Sequence, residues 1–151
     1  IMQTNRSSSL RLGDIAPDFA QNSTEGKIDS FHKWIGDSWC ILCSHPRAFT
    51  PVCTTELGYL SKIMPEFKKR DVKVIAVSVD SAEDDIAWSK DIEEVTGYPV
   101  NYPIISDEDQ TVSQTYGMLM PGDDLTAPPE TVRSVFIIAP DKKVLSIRIY
   151  S

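Results

Sequence analysis

Residues Trp39 to Glu56, WCILCSHPRAFTPVCTTE, run from a compact apolar segment through a proline-bounded loop to a cysteine set just after a Thr-Pro pair. Trp39–Ser44 reads as a buried strand, ended at His45-Pro46 because the residue before a proline is driven out of the helical region. Thr50 then takes a helix N-cap position, where its hydroxyl is expected to accept a first-turn N–H. Pro51 falls at N1, where its missing N–H costs nothing, and Cys53 falls at N3. Beyond it, Leu57, Leu60, Ile63, Met64 and Phe67 recur at helical spacing as one apolar face, with a kink or restart expected at Pro65.

The pattern extends outward from this strand and helix. Val72–Val79, VKVIAVSV, is a short β-branched strand, and Ser81-Ala82-Glu83-Asp84 resembles a capping box opening a helix that runs to about Thr96, before Gly97. Pro103–Ser106 predicts a strand, Asp109–Tyr116 a short helix, and Pro121–Pro129 an irregular loop. Ser134–Ala139 and Val144–Tyr150 predict a hairpin around Pro140-Asp141-Lys142-Lys143. Residues 14–38 read as turn-rich and polar, with short extended pieces. The alternation of strands and helices argues an α/β chain: a thioredoxin-like three-layer sandwich with a mixed central β-sheet.

Composition excludes several classes. At 151 residues, with 41% hydrophobic and 25% charged side chains, the chain has the balance of a globular domain able to bury a core. A net charge of −7 repels phosphate backbones, so nucleic acid is not an expected partner. No apolar run reaches the roughly 18 residues of a membrane span. Three cysteines are too few for a disulfide framework, which predicts a reducing compartment and a cytoplasmic location. Residues 1–11 are expected to be a disordered or cloning-derived tail and 12–151 the domain. The final strand-like alternation breaks off at Ser151, so a further C-terminal part is expected.

Cys53 is the residue with chemistry to offer. A thiol over the positive end of a helix is favoured as thiolate, and cationic neighbours carry such cysteines from a pKa near 8.5 to about 3.5–7.5. Two cations are candidates: Arg47 in the loop and Arg133 at the start of a later strand, which the sheet could bring to the same mouth. Cys40 and Cys43 spell C-I-L-C, yet in a strand they face opposite sides roughly 10 Å apart, which suits core packing better than a disulfide or a metal. No metal and no cofactor is expected.

The phrase Pro46-x-x-x-Thr50-x-x-Cys53 within SHPRAFTPVCTTELG resembles the active-site signature of the peroxiredoxins, and PVCTTE is similar to their one-cysteine subfamily. Leu12–Phe19, the WSKDI phrase around Asp91 and the turn Pro140–Lys143 extend the resemblance along almost all the chain. It implies a thiol peroxidase acting on hydrogen peroxide and organic hydroperoxides. Cys53 would attack the peroxide and become a sulfenic acid, Thr50 would hydrogen-bond peroxide and sulfur, Arg133 would stabilise the anion, and Pro46 would shield it. His45 and Val52 would line the pocket, the Val52 and Cys53 N–H groups would add electrostatic support, and Glu56 would orient the arginines. Gly58 stands where one class carries a resolving cysteine, so an external thiol of the glutathione or thioredoxin type is expected; Cys43 could reach Cys53 only after local unfolding. The resemblance also implies a homodimer or higher homo-oligomer of the full-length protein. Two alternatives accompany this reading: a redox-switched chaperone or binding module, and an acyl hydrolase of the phospholipase type using Ser38 of Gly36-Asp37-Ser38-Trp39-Cys40 with His32 and Asp141. In the last, Cys40 replaces the closing glycine of the motif.

Overall fold

A computed structural model describes residues 10–46, 48–120 and 130–150. The elements in chain order are α1 (Phe31–Ile35), β1 (Trp39–Ser44), α2 (Pro51–Lys69), β2 (Val72–Ser78), α3 (Ala82–Thr96), β3 (Ile104–Ser106), α4 (Thr111–Thr115), β4 (Leu119–Met120), β5 (Glu130–Thr131), β6 (Arg133–Ile138) and β7 (Val144–Tyr150). Five strands form one mixed sheet in the order β3-β2-β1-β6-β7. β1 pairs parallel to β2 and β2 to β3, while β6 runs antiparallel to both β1 and β7. This is the thioredoxin-like fold expected from the alternation of elements.

Because successive strand residues face opposite sides, the central strands feed two separate cores. On one face Cys40, Leu42, Ile75, Val77, Phe136 and Ile138 pack with Phe31 and Ile35 of α1 and Val112 of α4. On the other, Cys43, Val74 and Ala76 meet Cys53, Leu57 and Met64 of α2 and Trp88 and Ile92 of α3. Cys40 and Cys43 thus lie in different cores, as their spacing on a strand predicts, and all three cysteines are free thiols.

The structure departs from expectation in particular places. α2 runs without interruption from Pro51 to Lys69, with exposed Pro65 inside it, so no restart occurs there. Within 14–38, the extended pieces appear as isolated bridges pairing Gln21 with Ile28 and Ser23 with Ile105. That stretch also holds α1, whose five residues are too short for a periodic signal; Ser30 caps it by accepting the Lys33 N–H. The loop predicted at Pro121–Pro129 lies outside the described residues, and β4 and β5 flank it with two residues each. Ser81 caps α3 through the Asp84 N–H, and Gly97 closes it in the left-handed region at φ 80°, as predicted.

α2 and α3 touch at Gly58. A Cβ there would run into Cγ2 of Thr96 and lie 2.8 Å from its Cβ, closer than atoms pack. Gly58→Ala is therefore expected to destabilise the fold by about 1–3 kcal/mol in urea denaturation, even though alanine is the better helix former. Deep in the same layer, Asp85 is fully buried and accepts hydrogen bonds from Ser78 and Ser106. Burial pushes its carboxyl up to about 7; the two serine hydroxyls oppose this, and the charges of Asp80 and Asp84 add to it. A raised carboxyl binds its proton more tightly in the folded state, so its contribution to stability is fully present at low pH and is lost as pH rises from 3.8 towards about 7. Asp85→Asn is expected to flatten that decline; an unchanged pH profile would contradict the assignment.

Candidate active site

The cysteine-bearing turn begins at Thr50, whose backbone is extended at φ −82° and ψ 145°. Pro51 occupies the first turn, and Thr54 N–H reaches the Thr50 carbonyl at 2.9 Å as the first helical bond. The Thr50 side chain makes no cap hydrogen bond, which corrects that part of the sequence reading: the backbone and Pro51 start the helix. Cys53 follows at N3 and is 1% exposed.

Arg133 reaches the sulfur from the opposite side of the chain's path. It opens β6, and β6 pairs with β1 so that Ser134 lies opposite Ser44, the last residue before the loop. That register brings a residue 80 positions away to the mouth of the helix, and Arg133 Nη2 donates to Cys53 Sγ at 3.3 Å. Cys53 and Glu56 are three apart and share a helix face. One guanidinium therefore meets both, with its Nε 2.9 Å from Glu56 Oε1. The hydrogen bond to Cys53 holds the guanidinium more firmly protonated than usual, against its partial burial, with the charges of Glu56 and the sulfur reinforcing it.

His45 is 3% exposed and stacks edge-on to Trp88. Burial, reinforced by the Arg133 charge, pushes its imidazole down to about 4, so it is neutral near pH 7 and supplies no cation. It lines a cavity of about 530 Å³ together with Ile41, Cys43, Glu56, Tyr59 and Arg133. Pro46 is half-buried, Val52 is exposed and Arg47 lies outside the described residues. Burial and, secondarily, the Glu56 charge push the Cys43 thiol up to about 12, and burial likewise raises Cys40. Among the described residues neither takes a hydrogen bond from a guanidinium, which marks Cys53 as the thiol in a different environment.

Each of the three residues of the hydrolase alternative makes its hydrogen bonds elsewhere, although Lys142, next to Asp141, reaches the Gly36 carbonyl two residues before Ser38. Ser38 Oγ donates to Asp71 at 2.7 Å, His32 Nε2 lies 2.6 Å from the Ala16 carbonyl, and Asp141 accepts the Lys143 N–H. No hydrogen bond joins one of them to another. Ser38 also lies between α1 and β1, a helix-to-strand passage, whereas a nucleophile elbow turns from strand to helix.

Two residues of the site's surroundings escaped the sequence reading. Trp88 Nε1 donates to Thr54 Oγ1 at 3.0 Å, one residue after Cys53, and Asp80 Oδ2 accepts the Ala48 N–H at 2.9 Å within the loop. Only the WSKDI phrase hinted at Trp88, and nothing in the local sequence marks Asp80.

The geometry agrees with comparison to known proteins. The AhpC/TSA family model matches residues 12–147. The chain is 53% identical over 135 residues to the 1-Cys peroxiredoxin of Dictyostelium discoideum, covering 89% of this chain and 54% of that protein. It is 53% identical to human peroxiredoxin-6, covering 89% of this chain and 62% of the relative. The chain thus spans less than two thirds of the curated relatives it matches. Among solved structures, a cysteine-to-serine mutant of the peroxiredoxin 6 of Arenicola marina superposes with a TM-score of 0.87 at 45% identity, over 93% of this chain and 65% of that one. A yeast mitochondrial 1-Cys peroxiredoxin, described with a thiol resolving mechanism via glutathione/thioredoxin systems, does so with a TM-score of 0.84 at 42% identity, over 93% and 68%. With its helix-borne cysteine beside an arginine from the antiparallel strand, the chain belongs to the AhpC/TSA family, among the peroxiredoxins.

Proposed function

We propose that this chain carries the peroxidase centre of a one-cysteine peroxiredoxin, reducing hydrogen peroxide and organic hydroperoxides. The observation that carries the reading is the 3.3 Å contact between Arg133 Nη2 and Cys53 Sγ at a helix N-terminus shielded from water. The Cys53 thiolate attacks one peroxide oxygen, forming the S–O bond as the O–O bond breaks. Sulfur is oxidised to the sulfenic acid, and the leaving hydroxide or alkoxide takes a proton to become water or alcohol. Arg133 spreads the negative charge as it passes from sulfur to the leaving oxygen, and the free N–H groups of the first turn, at Val52 and Cys53, add to this. Thr50 stands at the entry of that turn to hydrogen-bond the peroxide, Pro46 shields the sulfur, and Glu56 fixes the guanidinium fork. Neutral His45 forms part of the pocket wall, while exposed Val52 stands outside that lining.

Recycling then falls to an external thiol. That thiol condenses with the sulfenic acid, releasing water and leaving a mixed disulfide, and a second thiol restores Cys53 and departs as a disulfide. Cys43 faces the same core but is buried and bonded to the Ile75 carbonyl at 3.6 Å, which supports a reductant from outside the chain. The glutathione/thioredoxin systems named for the yeast relative make those two the candidates. Three free thiols support a reducing, cytoplasmic setting. The edge position of β7, with exposed Leu145 and Ile149, supports pairing as a homodimer.

Stopped-flow consumption of hydrogen peroxide tests the reading. The wild-type chain is expected to react at least about a hundredfold faster than free cysteine, and Arg133→Ala to lose about 10²–10³ of that rate. Cys53→Ser is expected to consume none, and mass analysis of the wild type after one equivalent of peroxide with a sulfenic-acid trap should place the adduct on Cys53. A wild-type rate no greater than that of free cysteine would sink the peroxidase.

A further inference from the structure

The loop that delivers Cys53 to Arg133 is held in an unfavourable conformation by contacts from outside the loop. Phe49 has φ 64°, in the left-handed region that a bulky side chain avoids. Such a residue keeps that conformation only where its surroundings impose it. The ties come from the end of β2, the connection after it and the middle of α3. His45 N–H donates to the Val77 carbonyl at 3.1 Å, Ala48 N–H donates to Asp80 Oδ2 at 2.9 Å, and the Phe49 ring leans on Trp88 with centroids 6.5 Å apart.

Asp80 is itself fixed from behind. Its N–H donates to Ser78 Oγ at 3.2 Å, while the Ser78 hydroxyl donates its own proton to the Asp85 carboxylate at 2.7 Å. Ser106 donates to the same carboxylate at 2.8 Å, and Ser78 and Asp85 are both fully buried. A chain of hydrogen bonds therefore leads from the core below β2 and β3 to the backbone amide next to the strained residue.

We infer that Asp80 is a positioning residue for the cysteine-bearing turn: by accepting the Ala48 N–H it holds Ala48 and Phe49 in the form that seats Thr50 and Pro51 at the head of α2 and Cys53 against Arg133. Its kinetic consequence rests on the peroxidase reading; its structural consequence does not. Removing the acceptor lets Phe49 relax, unwinds the first turn of α2 and moves the sulfur from the guanidinium. Peroxide attack, which needs that contact, slows. Condensation of the sulfenic acid with an external thiol, which needs the buried sulfur to become accessible, speeds up.

Asp80→Ala and Asp80→Asn separate these effects, because asparagine keeps an acceptor oxygen at the same place. In Asp80→Ala the peroxide rate constant is expected to fall about tenfold or more while the rate of glutathione uptake by the sulfenic form rises. Amide hydrogen exchange, which needs no peroxide chemistry, is expected to quicken across residues 49–57 and to stay unchanged in β1 and β2. Asp80→Asn is expected to stay close to wild type in all three. Unchanged exchange at 49–57 in Asp80→Ala, an Asp80→Asn protein as impaired as Asp80→Ala, or a fall in both half-reactions together would each overturn the inference. A wild type that ignores peroxide would refute the peroxidase and leave the exchange comparison to decide on Asp80.

Discussion

One guanidinium joins two parts of the chain that lie far apart in sequence, and the site depends on that junction. Arg133 donates to the Cys53 sulfur with one nitrogen and pairs with Glu56 through another. The fork geometry matters: a planar, always charged group can face a sulfur and a carboxylate one helical turn apart, where a lysine ammonium offers a single point charge. Glu56 and Cys53 share a face of α2, so the helix presents both to the same partner.

The sheet makes the meeting possible. β6 returns antiparallel beside β1, so its first residue comes level with the last residues of β1, where the chain leaves for the loop and α2. Burial sharpens the contrast among the three thiols. Cys40 and Cys43 are sealed in opposite cores and are held protonated, whereas Cys53, equally hidden from solvent, has an arginine and a helix terminus for neighbours. A hidden sulfur with a charged partner suits attack by a small oxidant that can enter the turn, and it also makes the loop's conformation a quantity worth controlling.

Much of this was legible in the residues. The apolar WCILCS run, the Thr-Pro entry and the helical spacing of Leu57, Leu60 and Met64 predict β1, the loop and α2, and they put Cys53 at N3. Arg133 required more than local pattern, since only the pairing of β6 with β1 brings it near; the resemblance and the gathering of strand ends pointed to it. Asp80 and Trp88 were not legible because their partners, the Ala48 amide and the Thr54 hydroxyl, are reached across 32 and 34 residues and neither pairing leaves a periodic trace. α1 and the two-residue β4 and β5 are shorter than any repeat that could announce them. The capping rule erred at Thr50 in a physically informative way: an extended residue before a proline starts a helix without its side chain's help. The acyl hydrolase alternative rests on residue types alone, and such a motif says nothing of whether a turn runs from strand to helix or the reverse; at Ser38 it runs from helix to strand.

The central claim is that Glu56 acts on the Cys53 sulfur through Arg133, and a double-mutant cycle on the second-order rate constant for hydrogen peroxide addresses it most directly. With Arg133 present, Glu56→Ala should slow the reaction, and in an Arg133→Ala background the same change should have little further effect, a coupling between neighbours of about 1 kcal/mol or more. Fully additive losses would mean that the carboxylate and the guanidinium act on the sulfur separately, and the account given for the site would be wrong.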